Sequence, residues 1–154
     1  MTDRERQYIH LMARARELAE KAVRGGDVPV GALILDPAGQ VIGTGYNRRE
    51  ADHNPAGHAE IMALAQAGQE IGSSHLTGCT IIVTLEPCTM CAGAIVLSRL
   101  DTLVFGAWDP KTGAAGSIRD VVRDSRANHQ IEVIAGIDEP ACSSQLTDFF
   151  ASKR

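Results

Sequence analysis

Apolar residues recur every three to four positions through residues 4–24: Tyr8, Leu11, Met12, Ala15, Leu18, Ala19, Ala22 and Val23, with Arg14, Arg16, Glu17 and Lys21 between them. That period predicts an amphipathic helix, and Gly25-Gly26 stops it. Residues 28–35 and 41–46 read as two strands joined by the turn Asp36-Pro37-Ala38-Gly39-Gln40, which predicts a β-hairpin. The polar segment 47–57, with Asn54-Pro55, reads as a loop. A second helix is predicted over 57–69, with Ile61, Leu64 and Ala65 on one face, and 72–78 is a connector.

The run from Cys79 to Leu85 is nearly all apolar, as expected of a strand covered on both faces. A third helix is predicted over 88–98, with Pro87 in its first turn. Leu103-Val104-Phe105 predicts a fourth strand, and 106–116 a loop rich in Gly and Ala. Ser117 is placed to cap a short helix running to Asp124, and 131–134 predicts a fifth strand. Asp138-Glu139-Pro140 starts a last helix that carries Leu146, Phe149 and Phe150. From the second helix onward strands and helices alternate, so those strands should be parallel, with the first two forming an antiparallel edge. The expected fold is α/β, a three-layer α/β/α sandwich on a five-stranded mixed sheet, in a single domain over residues 1–154.

Composition narrows the picture. At 154 residues and 44% hydrophobic the chain is a globular one, burying roughly two thirds of its unfolded surface. No apolar run is long enough to span a bilayer, and the charged start Met1-Thr2-Asp3-Arg4-Glu5-Arg6 leads into no signal-like segment. The expectation is a cytoplasmic protein without membrane contact. Four cysteines without an export signal point to reduced thiols or metal ligands rather than disulfides. A net charge of −4 argues against generic, charge-driven nucleic-acid binding. From Ala107 to Ala135, Lys111, Arg119, Arg123 and Arg126 are offset by Asp109, Asp120, Asp124 and Glu132, and only Lys153-Arg154 make a small basic end.

The chemistry gathers in two short stretches. Thr84-Leu85-Glu86-Pro87-Cys88-Thr89-Met90-Cys91 carries C-x-x-C, which alone fits a redox pair, half a structural zinc site or part of a catalytic one. His58-Ala59-Glu60 lies upstream, and together they spell H-x-E…P-C-x-x-C, the signature of zinc-dependent nucleobase deaminases. His58, Cys88 and Cys91 make a ligand set that suits zinc and leaves the fourth tetrahedral position to water, as catalytic zinc requires. Such a zinc lowers the pKa of its water towards about 7. Glu60, beside the metal but free of it, would shuttle protons from that hydroxide to the ring nitrogen and the departing ammonia.

His58 and Glu60 diverge by roughly 200° within a regular helix, so they converge only if His58 sits at its start. A structural site would want a fourth protein ligand, and Cys79, Cys142, His53 and His75 have no paired spacing to supply it. Cys79 and Cys142 read as core, and His10, His53 and His75 as surface. Lys111-Thr112-Gly113 is not a phosphate-binding P-loop, because the glycines that motif needs are missing.

With these motifs quoted, the sequence resembles the bacterial tRNA adenosine deaminases, a branch of the cytidine-deaminase-like zinc deaminases. The resemblance runs from Asp27-Val28-Pro29-Val30-Gly31-Ala32 to Phe149-Phe150, and is most specific in Phe105-Gly106-Ala107 and Asp109-Pro110-Lys111-Thr112-Gly113-Ala114-Ala115-Gly116-Ser117. It implies one zinc per chain and conversion of the wobble adenosine of an arginine tRNA anticodon loop to inosine. It implies a homodimer with RNA contacted by both subunits.

By the same resemblance Asn47 contacts the flipped base, a role its amide suits because it can donate to and accept from a purine edge, with a strand-end turn residue as the alternative. Asp109 and Lys111 would contact anticodon nucleotides, Asn128 and His129 RNA near the target base, and Phe149 with Phe150 the RNA at the C-terminal helix. The spacing of Leu146 and Phe150 asks that at least one of these phenylalanines be core. Trp108 departs from the family pattern, which has a basic or polar residue there; it stacks on an unpaired base or packs at a subunit interface. Two rivals stay open: a zinc deaminase of a free base or nucleoside, and a zinc-stabilised RNA-binding module without turnover.

Overall fold

The computed structural model describes residues 1–153, so of the small basic end Arg154 lies outside the described residues. The elements run α1 (Asp3–Arg24), β1 (Gly31–Leu35), β2 (Val41–Tyr46), α2 (Ala59–Ile71), β3 (Thr80–Leu85), α3 (Thr89–Leu97), β4 (Thr102–Ala107), β5 (Glu132–Ile134) and α4 (Glu139–Ser152). The strands form one sheet in the order β2-β1-β3-β4-β5. β1 pairs antiparallel with β2 and β3, while β3–β4 and β4–β5 are parallel. This is the expected mixed sheet with its antiparallel edge.

Side chains alternate across the sheet and build two cores. Ala32, Ile34, Ile81, Val83, Leu103 and Phe105 face α2 and α3, meeting Ala59, Ala63, Ala67, Ala92 and Ile95. Leu33, Leu35, Ile82 and Val104 face α1 and α4, meeting Tyr8, Leu11, Met12, Ala15 and Cys142. The architecture is therefore an α/β/α sandwich. Small residues bring α2 close to β2: a Cβ on Gly43 or Gly45 would collide with the backbone carbonyls of Ala63 and Ala59. That approach fixes the helix whose start carries His58.

Several boundaries move from the sequence expectation. β1 begins at Gly31 rather than at residue 28. Thr2 caps α1 in a capping box with Glu5. Pro87 is not in the first turn of α3 but precedes its N-cap, Cys88, and its carbonyl accepts from Ala114 N–H at 2.8 Å. The short helix expected over 117–124 does not form. Residues 108–131 connect β4 to β5 through turns and isolated bridges, Cys88 to Gly113 and Ala115 to Asp120. Ser117 donates both its N–H, at 3.0 Å, and its hydroxyl proton to Glu86, and the residues after it run as turns held to that carboxyl rather than as a helix.

Cys79 and Cys142 are buried and His10, His53 and His75 exposed, as expected. The core phenylalanine of α4 is Phe149; Phe150 is half exposed. Among the described residues no helix is long and apolar enough to cross a membrane.

Candidate active site

Two helix starts face each other at the C-terminal edge of the sheet. His58 is the N-cap of α2 in extended conformation, with Glu60 in the first turn, so the two side chains converge as H-x-E requires. Cys88 is the N-cap of α3 and Cys91 its third residue, the spacing that brings capping boxes together. His58 Nδ1 lies 3.6 Å from Cys88 Sγ and 3.5 Å from Cys91 Sγ, and the three donor atoms fall within 4.8 Å of one another. Tetrahedral zinc with ordinary Zn–N and Zn–S bonds separates such donors by about 3.6 Å, so the residues fit that ion without rearrangement. Among the described residues this is the one cluster that could hold a metal.

The electrostatics agree. The Cys91 thiol and His58 beside it pull the Cys88 thiol down to about 4, and the positive end of α3 favours its thiolate. Cys91, next to the Cys88 sulfur and buried, is pushed up. His58 is raised, chiefly by Cys88. Glu60 is 3% exposed, and burial lifts its carboxyl to about 7. A carboxyl with that value can take and return a proton near neutrality.

A cavity of about 200 Å³ opens onto this cluster. His58, Glu60 and Cys88 form one wall, and Asn47, Arg49, Asp109 and Thr112 line it as well. Asn47 holds its loop through both ends of its amide: Nδ2 donates to Val28 O at 3.2 Å and Oδ1 accepts from Arg49 N–H at 3.1 Å. It is thus a turn residue that also faces the pocket. Asp109 accepts from Lys111 N–H, Thr112 N–H and the Thr112 hydroxyl, which leaves exposed Lys111 on the same turn.

Not every residue named from the sequence comes here. Asn128 and His129 lie by the N-terminal end of β4, where the His129 ring meets Leu100 O at 2.6 Å, at the far end of the sheet from the pocket. Phe149 lines a groove between α1 and α4, with Lys153 Nζ 5.3 Å from its ring centroid.

Three residues escaped sequence reasoning. Glu86, 2% exposed, accepts from Asp109 N–H at 2.9 Å, from Ala115 N–H and Ser117 N–H at 3.0 Å each, and from the Ser117 hydroxyl. Buried Asp27 accepts from Glu50 N–H at 2.7 Å and Ala51 N–H at 3.1 Å, pinning the loop after β2. Arg49 brings a cation to the pocket, with Glu50 3.6 Å away. The signal for Glu86 was there: a charged residue ending a buried apolar run calls for buried partners.

Helix-start imidazole and thiols on a mixed α/β/α sheet, with a buried carboxyl beside them, define a zinc-dependent deaminase site. The chain belongs to the cytidine and deoxycytidylate deaminase zinc-binding family, whose profile matches residues 5–107. More narrowly, it is 46% identical over 144 residues to the tRNA-specific adenosine deaminase of Haemophilus influenzae, covering 94% of this chain and 83% of that one. It is 42% identical to the enzyme of the same name from Bacillus subtilis over 143 residues, 93% of this chain and 88% of that one. A solved structure from work on A-to-I editing by tRNA:A34 deaminases superposes with a TM-score of 0.85 at 36% identity, covering 89% of this chain and 99% of that one.

Proposed function

We propose that this chain hydrolytically deaminates adenosine to inosine at the wobble position of a tRNA, with the anticodon loop of an arginine tRNA as substrate. The observation that carries the chemistry is Glu60: a buried carboxyl near neutrality, beside three donors that fit zinc and open to a pocket. The substrate rests on the relatives, which share 42–46% identity over most of this chain. Its setting is the cytoplasm, where mature tRNA is.

His58, Cys88 and Cys91 would hold one zinc per chain, which supplies the Lewis acidity that makes water nucleophilic at neutral pH. Glu60 takes a proton from the attacking water as its oxygen adds to C6 of the purine, and delivers that proton to N1. It then carries the second proton to the exocyclic amine, so that ammonia rather than amide departs and the C6 carbonyl of inosine remains. The Asn47 amide has a spare N–H and a spare lone pair to offer the purine edge. An unpaired loop base enters at little cost, whereas a paired one must first be unstacked.

The same reading makes the chain a homodimer. Supporting this, α3 keeps Leu97 78% exposed and Met90 39% exposed on a helix otherwise made of apolar and small residues. The resemblance assigns Asn128 and His129, with Asp109, Lys111 and Phe149, to contacts with the RNA, of which Asp109 lines this pocket.

The test is product analysis. The zinc-loaded protein should form inosine in an adenosine-34 arginine tRNA or its anticodon stem-loop, and leave free adenosine, guanine and cytosine almost untouched. Turnover of a free base in preference to the stem-loop would overturn the substrate while leaving the zinc chemistry in place.

A further inference from the structure

Trp108 is the chain's single tryptophan, and it sits where burial would be the rule for so large an apolar ring. It is 41% exposed, immediately after β4 and directly before pocket-lining Asp109. The ring is not free to wander. Phe105 meets it edge to face, with centroids 4.9 Å apart and planes at 88°. Gly116 lies against it on another side: a Cβ there would stand 3.2 Å from Trp108 Cζ3. Both supports belong to structure that is itself fixed, Phe105 in the core and Gly116 in the segment that Glu86 anchors through Ala115 and Ser117.

We infer that Trp108 is a stacking platform for a base flanking the one in the pocket, and so a specificity-determining residue for single-stranded RNA. The inference rests on the RNA reading above. When one loop nucleotide turns into the pocket, its neighbour loses a stacking partner, and an aromatic face one residue from Asp109 replaces it. A ring already held by Phe105 and Gly116 gives up little freedom in doing so. Stacking accepts any base, so Trp108 selects for an unpaired neighbour rather than for its identity.

Because Trp108 is the lone tryptophan, its fluorescence reports the contact directly. Titrating the zinc-loaded protein with an anticodon stem-loop should quench it, and Trp108→Ala should weaken binding about tenfold with zinc content and dimer mass unchanged. Trp108→Phe should keep most of the affinity, which separates stacking from a folding defect. Stem-loops made abasic at each position flanking adenosine-34 supply the decisive comparison. At one of them the loss of the base and the loss of Trp108 should overlap rather than add. Additive losses at both positions, unquenched fluorescence on saturation, or dissociation of the Trp108→Ala dimer would overturn the inference. A wild-type protein that deaminates the stem-loop without quenching sinks only the Trp108 role; one that neither binds nor deaminates it sinks the RNA reading as well.

Discussion

Two buried carboxyl groups flank the same pocket and are held in opposite ways. Glu60, in the first turn of α2, has Cys91 and His58 beside it, and burial dominates, lifting it to about 7. Glu86, at the end of β3, collects three backbone N–H groups and a hydroxyl from the segment after β4. The fixed donors around Glu86 make it an organiser of backbone, while burial leaves Glu60 able to exchange protons near neutral pH. The α2 wall is thereby reactive and the loop wall architectural, although residue type and burial are the same on both.

The largest effect expected from this contrast is that of Glu60→Gln. It should retain one zinc per chain by elemental analysis and lower kcat on the order of a thousandfold, as loss of a general acid–base does. Loss of zinc in that variant would make Glu60 a ligand instead. Stability sharpens the point. A carboxyl raised from 4.5 to about 7 by folding binds its proton more tightly in the native state. Its contribution is therefore full below about 4.5 and lost as pH rises through about 7. In metal-free samples the wild type should lose melting temperature relative to Glu60→Gln across that window. A constant difference would mean that Glu60 does not titrate there.

Glu86→Ala attacks the other wall. It strands the N–H groups of Asp109, Ala115 and Ser117 together with the Ser117 hydroxyl, at a cost of about 3–5 kcal/mol in unfolding free energy. Zinc content should hold, since none of its candidate ligands is touched, while kcat/KM on the stem-loop falls about tenfold or more. Glu86→Gln keeps an acceptor and should lie between. Wild-type stability in Glu86→Ala would deny Glu86 its organising role.

The two walls also differ in how far the sequence announces them. The α2 and α3 side is local: H-x-E and C-x-x-C each sit on one helix start, and the alternation of helices with apolar strands places those starts at one end of the sheet. The three donors could therefore be named before any coordinates. The loop wall is non-local. Its geometry comes from Glu86 reaching 23 to 31 positions along the chain. A reading by neighbours instead gave Ser117 a helix to cap, when its N–H and hydroxyl were already engaged. Asn128 and His129 show the same limit: resemblance assigns them to RNA, but no pattern along the chain says that they lie at the far end of the sheet.

Asn47 stands between the two walls, and the smallest effect separates its roles. Its amide is engaged with Val28 O and Arg49 N–H, so Asn47→Ala should lower the melting temperature whether or not it touches the base. Asn47→Ser restores part of the turn, because a hydroxyl accepts from the residue two positions on, though more weakly. It cannot offer a purine edge the paired donor and acceptor of an amide. Measured well below its melting temperature, Asn47→Ser should recover stability yet remain about three- to tenfold down in kcat/KM, the worth of one hydrogen bond. Full recovery of kcat/KM along with stability would make Asn47 a turn residue alone, and would leave recognition of the purine edge to Glu60 and the loop that Glu86 holds.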